Sequence, residues 1–139
     1  MIELENNTSL NIDEDFLSQI ASSMTDKHIE LIITNDIEIQ EINKQYRGID
    51  KSTDVLSFPY EEMPMALLGS IVISDSHVID KAKELGHSED DELALLFIHG
   101  LLHLLGYDHE VDNGEMRLKE EELINQFNLP QSLIIRTQG

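Results

Sequence analysis

Residues Ser88–Gly106 read SEDDELALLFIHGLLHLLG, and this stretch decides how the chain must be organised. Ser88 is a good helix N-cap, because its hydroxyl can accept from an amide of the first turn, and the acids that follow suit the positive end of the helix dipole. From Leu93 onward apolar residues fill almost every position rather than one stripe, so this helix belongs inside the protein. Gly106 closes it, since glycine takes the left-handed backbone conformation there without strain. A helix buried all round needs other layers to cover it. Segments of both helical and strand character surround it, which predicts an α+β or α/β fold with this helix packed against a sheet.

Immediately before it, Asp75–Gly86 (DSHVIDKAKELG) has helical spacing, and Ala66–Ser74 (ALLGSIVIS) has strand character. Val55–Tyr60 (VLSFPY) reads as a short strand that Pro59 ends or confines to a sheet edge. Gly48–Asp54 and Glu61–Met65 read as connections. Asp36–Arg47 predicts a helix capped by Asn35 or Thr34, with Ile37, Ile39 and Ile42 as its apolar face. His28–Thr34 (HIELIIT) reads as a buried strand, Asn11–Met24 as a helix, and Met1–Asn6 as a first strand. After the central helix, Asn113–Phe127 predicts a last helix. The total is about four strands and about five helices, expected to form one domain over residues 1–139.

Composition narrows the chemistry. The chain has 139 residues, 40% hydrophobic and 27% charged, as in ordinary globular proteins. No apolar run approaches the roughly 20 residues that span a bilayer, and acids stand where a signal peptide would be basic. A cytoplasmic protein without membrane contact is expected. Cysteine is absent, so a transition-metal site would use imidazole, carboxylate and water. The net charge of −19 opposes phosphate backbones and favours basic partners. Against that trend, Lys44, Arg47 and Lys51 cluster within KQYRGIDK. They form either a solvated turn or a small cationic island able to meet one or two phosphates.

His99 and His103 are four residues apart on the central helix, so their side chains lie one above the other and can reach one ion. After the stop at Gly106 the chain can fold back and bring His109 to the same point. Three histidines leave a fourth position for water, the arrangement of a catalytic zinc. A single histidine on an apolar face is more often a core residue bonded to a carbonyl, but this spacing argues for a metal site. His28, His77 and His87 have no ligand spacing and read as surface or capping residues. Asp108 is either a turn aspartate bonding its own backbone or a group that orients a ligand imidazole. The spacing is also that of HExxHxxGxxH proteases, yet Gly100 occupies the position of their general-base glutamate, which argues against peptide hydrolysis.

The stretch His99–His109 (HGLLHLLGYDH) resembles the HGxLHLxGYDH signature of the YbeY family, bacterial metal-dependent endoribonucleases of ribosomal RNA maturation. Asn43–Tyr60 (NKQYRGIDKSTDVLSFPY) is similar to that family's second block, in which an arginine precedes a TDVLSFP run, and Leu68–Ser74 (LGSIVIS) to its LGDIxIS strand. Ser70 stands where the last pattern has aspartate. The resemblance implies a small mixed sheet with helices, its metal in a cleft near the arginine loop. It implies His99, His103 and His109 as ligands of one zinc per chain, and Arg47 as the arginine of RNA cleavage. It further implies a cytoplasmic, single-strand-specific endoribonuclease that matures the 3′ end of small-subunit ribosomal RNA and acts in ribosome quality control. Lys44 and Lys51 would then face the RNA. The competing expectation is a zinc-containing ribosome-assembly factor without hydrolytic turnover, whose acidic surface binds basic ribosomal proteins.

Overall fold

A computed structural model describes residues 2–59, 67–108 and 110–130. Tyr60, the connection Glu61–Met65 and His109, all singled out above, lie outside the described residues. Within them the order is β1 (Ile2–Asn6), α1 (Glu14–Met24), β2 (His28–Thr34), α2 (Asp36–Arg47), β3 (Val55–Pro59), β4 (Leu67–Ser74), α3 (Asp75–Leu85), α4 (Glu89–Leu104) and α5 (Glu115–Phe127). The fold is α+β, with four strands and five helices among these residues.

The strands form one mixed sheet in the order β1-β2-β4-β3. β2 pairs in parallel with β1 and with β4, while β3 runs antiparallel to β4 on the outer edge. Pro59 is the last residue of that edge strand, where its missing N–H breaks no ladder. β2 lies inside the sheet, which explains its near-continuous apolar sequence: Ile29, Leu31 and Ile33 are fully buried.

The two sheet faces are unequal. One carries α4 and the large core, in which Leu95, Leu96, Phe97, Ile98 and Leu101 join Ile29, Leu31, Ile33, Ile71 and Ile73. α1, α3 and α5 cover α4 from its other sides, through Leu17 and Ile20, Val78, and Met116 and Leu123. The central helix is therefore buried all round, as its sequence requires. The opposite face carries α2 over a small cluster of Ile39, Leu56 and Val72.

α2 corrects one expectation. Ile39 is buried and Ile42 half-buried, but Ile37 is 79% exposed. Positions two apart on a helix are turned by about 200°, so Ile37 and Ile39 cannot share a face; the buried partner of Ile39 is instead Asn43. The cap is Asn35, whose side chain accepts from the Glu38 amide at 2.8 Å. α1 begins three residues later than expected, because Asp13 takes the cap and accepts from the Phe16 amide.

Candidate functional site

The end of α4 is built by its last backbone hydrogen bonds. Gly106 has φ +97°, its amide donates to the His103 carbonyl at 3.0 Å, and the Tyr107 amide donates to the Leu102 carbonyl at 3.0 Å. This is the paired closure that a left-handed glycine permits after a helix. The chain reverses, and the Tyr107 carbonyl arrives 3.0 Å from His103 Nδ1. A carbonyl only accepts, so Nδ1 carries the proton and Nε2 keeps its lone pair.

His99 is held in the same way from another side. Its Nδ1 faces Oε2 of Glu120 at 3.5 Å, and Glu120, on α5, is fully buried. A carboxylate against Nδ1 again directs the lone pair to Nε2. The two Nε2 atoms are 3.2 Å apart. At that distance the two atoms can share a hydrogen bond, one imidazole donating to the other, or serve as two ligands of one cation. Two ligands about 2.0–2.1 Å from one tetrahedral zinc would lie about 3.3 Å apart, so the pair fits a metal. Among the described residues no third His, Cys, Asp or Glu side chain completes a cluster, and His109 lies outside them.

Beside this pair is a cavity of about 540 Å³ lined by Arg47, Asp54, Ser57, His99, His103 and Asp108, among others. Arg47 reaches it from the last turn of α2, which Gly48 ends in the left-handed conformation. Ser57 comes from the middle of β3, and Asp54 directly precedes that strand. The structure thus gathers residues 52 positions apart, Arg47 and His99, around one space. One guanidinium there stands against the carboxylates of Asp54, Asp108 and Glu110. That balance repels an anionic substrate unless a divalent cation shifts it.

Lys44 lies one turn before Arg47 and is exposed, as is Lys51. The loop that carries Lys51 is tied back to α2, because Asn43 Nδ2 donates to the Lys51 carbonyl at 2.9 Å. Asp108 makes the bond of a turn aspartate: its Oδ1 accepts from the Glu110 amide at 3.0 Å, while the residue also borders the cavity. Ser70, where the pattern has aspartate, donates to Glu30 at 2.7 Å. It shares the α2 face of the sheet with Val72, away from the histidines.

Two other histidines have defined partners. His77 Nε2 is 3.5 Å from Asp36, whose carboxylate also bonds Ser74. His87 is more than a capping residue: its Nε2 sits 2.7 Å from Glu92, which is 1% exposed. Sequence reasoning missed Glu120 and Asp54. The signal for Glu120 was present, since Met116, Glu120 and Leu123 form the buried stripe of α5, with a carboxylate in an apolar row.

The family model described as endoribonuclease YbeY matches residues 2–128. A Sulfurimonas denitrificans protein named endoribonuclease YbeY is 63% identical over 139 residues, covering 100% of each chain. An Aliarcobacter butzleri protein of the same name is 63% identical over 138 residues, covering 98% of this chain and 99% of its own. The solution structure of a Thermotoga maritima protein superposes with a TM-score of 0.63 at 30% identity, covering 91% of this chain and 89% of the other. No helix among the described residues is long and apolar enough to cross a membrane. With its fold, its histidine pair and near full-length identity to these relatives, the chain belongs to the YbeY family.

Proposed function

We propose that this chain is a zinc-dependent endoribonuclease that cuts single-stranded RNA in maturing the 3′ end of small-subunit ribosomal RNA and in ribosome quality control, in the cytoplasm. The observation that carries the reading is the convergence of His99 and His103 Nε2, 3.2 Å apart, on a cavity that Arg47 also lines. The relatives' shared name, endoribonuclease YbeY, supports the same reaction class.

His99 and His103 would hold the zinc together with His109, one ion per chain. When bound, the ion supplies a Lewis acid and a water of lowered pKa. Glu120 and the Tyr107 carbonyl fix the two rings, so that both present Nε2 without reorganisation. Arg47 binds two oxygens of the scissile phosphate through its planar fork and stabilises the charge that develops as the phosphorus–oxygen bond breaks. A carboxylate of the cavity, Asp54, Asp108 or Glu110, takes the proton of the attacking oxygen, the role for which Gly100 has no side chain. Lys44 and Lys51 hold the flanking phosphates of the precursor.

The test is cleavage of a labelled ribosomal RNA 3′ precursor by protein freed of host nucleases, with bound zinc measured in parallel. Arg47→Ala should retain zinc and lose about 10²–10³ in rate, whereas His103→Ala and His109→Ala should lose both metal and activity. Equal residual cleavage in all four preparations would refute the enzyme. The second reading, an assembly factor that docks basic ribosomal proteins without turnover, is favoured by the net charge of −19 and would then stand.

A further inference from the structure

Tyr46 is 67% exposed although it is one of only seven large aromatic side chains of the chain, four Phe and three Tyr. It stands in the last turn of α2, directly before Arg47. Its ring meets Phe58 edge to face, with centroids 5.5 Å apart and planes at 61°. Phe58 in turn packs on the buried cluster of Ile39, Leu56 and Val72, and directly precedes Pro59, which lines the cavity. The exposed ring is therefore braced from below by an anchored one, on the α2 face of the edge strand whose last residue, Pro59, lines the cavity. Nothing in the core explains this, since an exposed tyrosine gains little by burial.

We propose that Tyr46, braced by Phe58, is the stacking platform for an unpaired base next to the phosphate that Arg47 contacts. The inference rests on the ribonuclease reading and adds how that site selects single strands. Neighbouring side chains on a helix diverge by about 100°, and a base lies several ångströms from its own phosphate, so a strand whose phosphate meets Arg47 can cross the β3 edge and set a base on the ring. Lys44 and Lys51 flank the same end of α2 and attract the backbone. Aromatic faces beside a cationic track are how sequence-tolerant single-strand binders work, because every base has a π-face. A base locked in an A-form helix cannot offer that face, so the platform excludes duplex RNA without reading sequence.

The test uses the zinc-loaded protein and a short fluorescent single-stranded RNA with 2′-O-methyl sugars, read by anisotropy. A parallel series of this RNA is abasic at each position in turn. Tyr46→Ala should bind about tenfold more weakly, and Tyr46→Trp should restore affinity. One abasic position should weaken the unaltered protein by a similar factor and leave Tyr46→Ala unchanged. Phe58→Leu should lose part of the same affinity. If the unaltered protein binds and cuts RNA while Tyr46→Ala binds equally well, or if no abasic position is silent in that variant, the platform is wrong and the ribonuclease reading survives. If the unaltered protein neither binds nor cuts, the ribonuclease reading falls and takes the platform with it.

Discussion

Ser57 Oγ, on the edge strand β3, donates to the carbonyl of Gly100 on α4 at 3.0 Å. This bond joins the strand of the TDVLSFP block to the helix that carries both histidines, one residue after the first of them. It also explains the glycine. A Cβ at position 100 would stand 3.0 Å from Ile71 Cγ2, 3.1 Å from Ser57 Oγ and 3.3 Å from Val55 Cγ2. α4 lies so close to the sheet here that a hydrogen is the side chain that fits. A glutamate at this position would collide with Ile71, Ser57 and Val55, so the protease motif fails for reasons of packing as well as chemistry.

Gly100→Ala should therefore destabilise the protein although alanine is the better helix former. Crowding a packed core costs about 1–3 kcal/mol, and helix propensity returns up to about 1 kcal/mol. A net loss of about 1 kcal/mol lowers the melting temperature by about 3 °C in a chain of this length. Thermal melts monitored by circular dichroism would show it. An unchanged or higher melting temperature would mean that the helix can move off the sheet at no cost. Gly100→Glu should fail to fold and show no peptidase activity.

Much of this was legible in the sequence because local chemistry and tertiary need agree. The apolar run of α4 and Gly106 each have one good structural solution, and both appear. What was not legible depends on contacts between elements. Glu120 lies in the run KEEEL, where three acids look alike, and only the docking of α5 on α4 selects the one that faces His99. Glu92 looks like a first-turn acid serving the helix dipole, and it is buried because His87 closes over it. Asp54 and Ser57 lie in the TDVLSFP block, and only the docking of β3 beside α4 brings both to the cavity that the histidines line.

Glu120 gives the next prediction. A carboxylate behind a ligand imidazole fixes the ring and raises its basicity, and losing such a partner typically costs 10–100-fold in metal affinity. Glu120→Gln keeps the shape of the buried side chain and removes the charge. Competition with a zinc chelator should give an affinity weaker by that factor, with the far-ultraviolet circular dichroism unchanged. Equal zinc affinity would show that Glu120 serves packing alone.

Metal binding should also be visible in stability. A ligand that binds only the folded state adds about 2.7 kcal/mol when present at 100 times its dissociation constant. Zinc should raise the melting temperature of the stripped protein by several degrees, and excess chelator should reverse the rise. His103→Ala should melt at one temperature with and without zinc. A zinc effect of the same size in that variant would place the ion elsewhere.

Asn43 makes the most discriminating case, because its effect on RNA must pass through a loop. Its side chain is 4% exposed, and Nδ2 donates to the Lys51 carbonyl, tying Gly48–Lys51 to the helix that carries Arg47. Asn43→Ala removes the donor, at about 1 kcal/mol, and frees the loop. Asn43→Asp should be worse, because an ionised carboxylate only accepts and would face that carbonyl without a proton to share. If Lys51 meets a phosphate, Lys51→Ala should lower the slope of log affinity against log salt by about 0.7 for a single strand. Asn43→Asp should reproduce most of that loss with the lysine still present, because an untethered Lys51 is no longer held to α2. Zinc content should not change in either variant. A normal salt slope in Asn43→Asp would mean that the loop finds the RNA without its tether, and that Lys51 needs no positioning from α2.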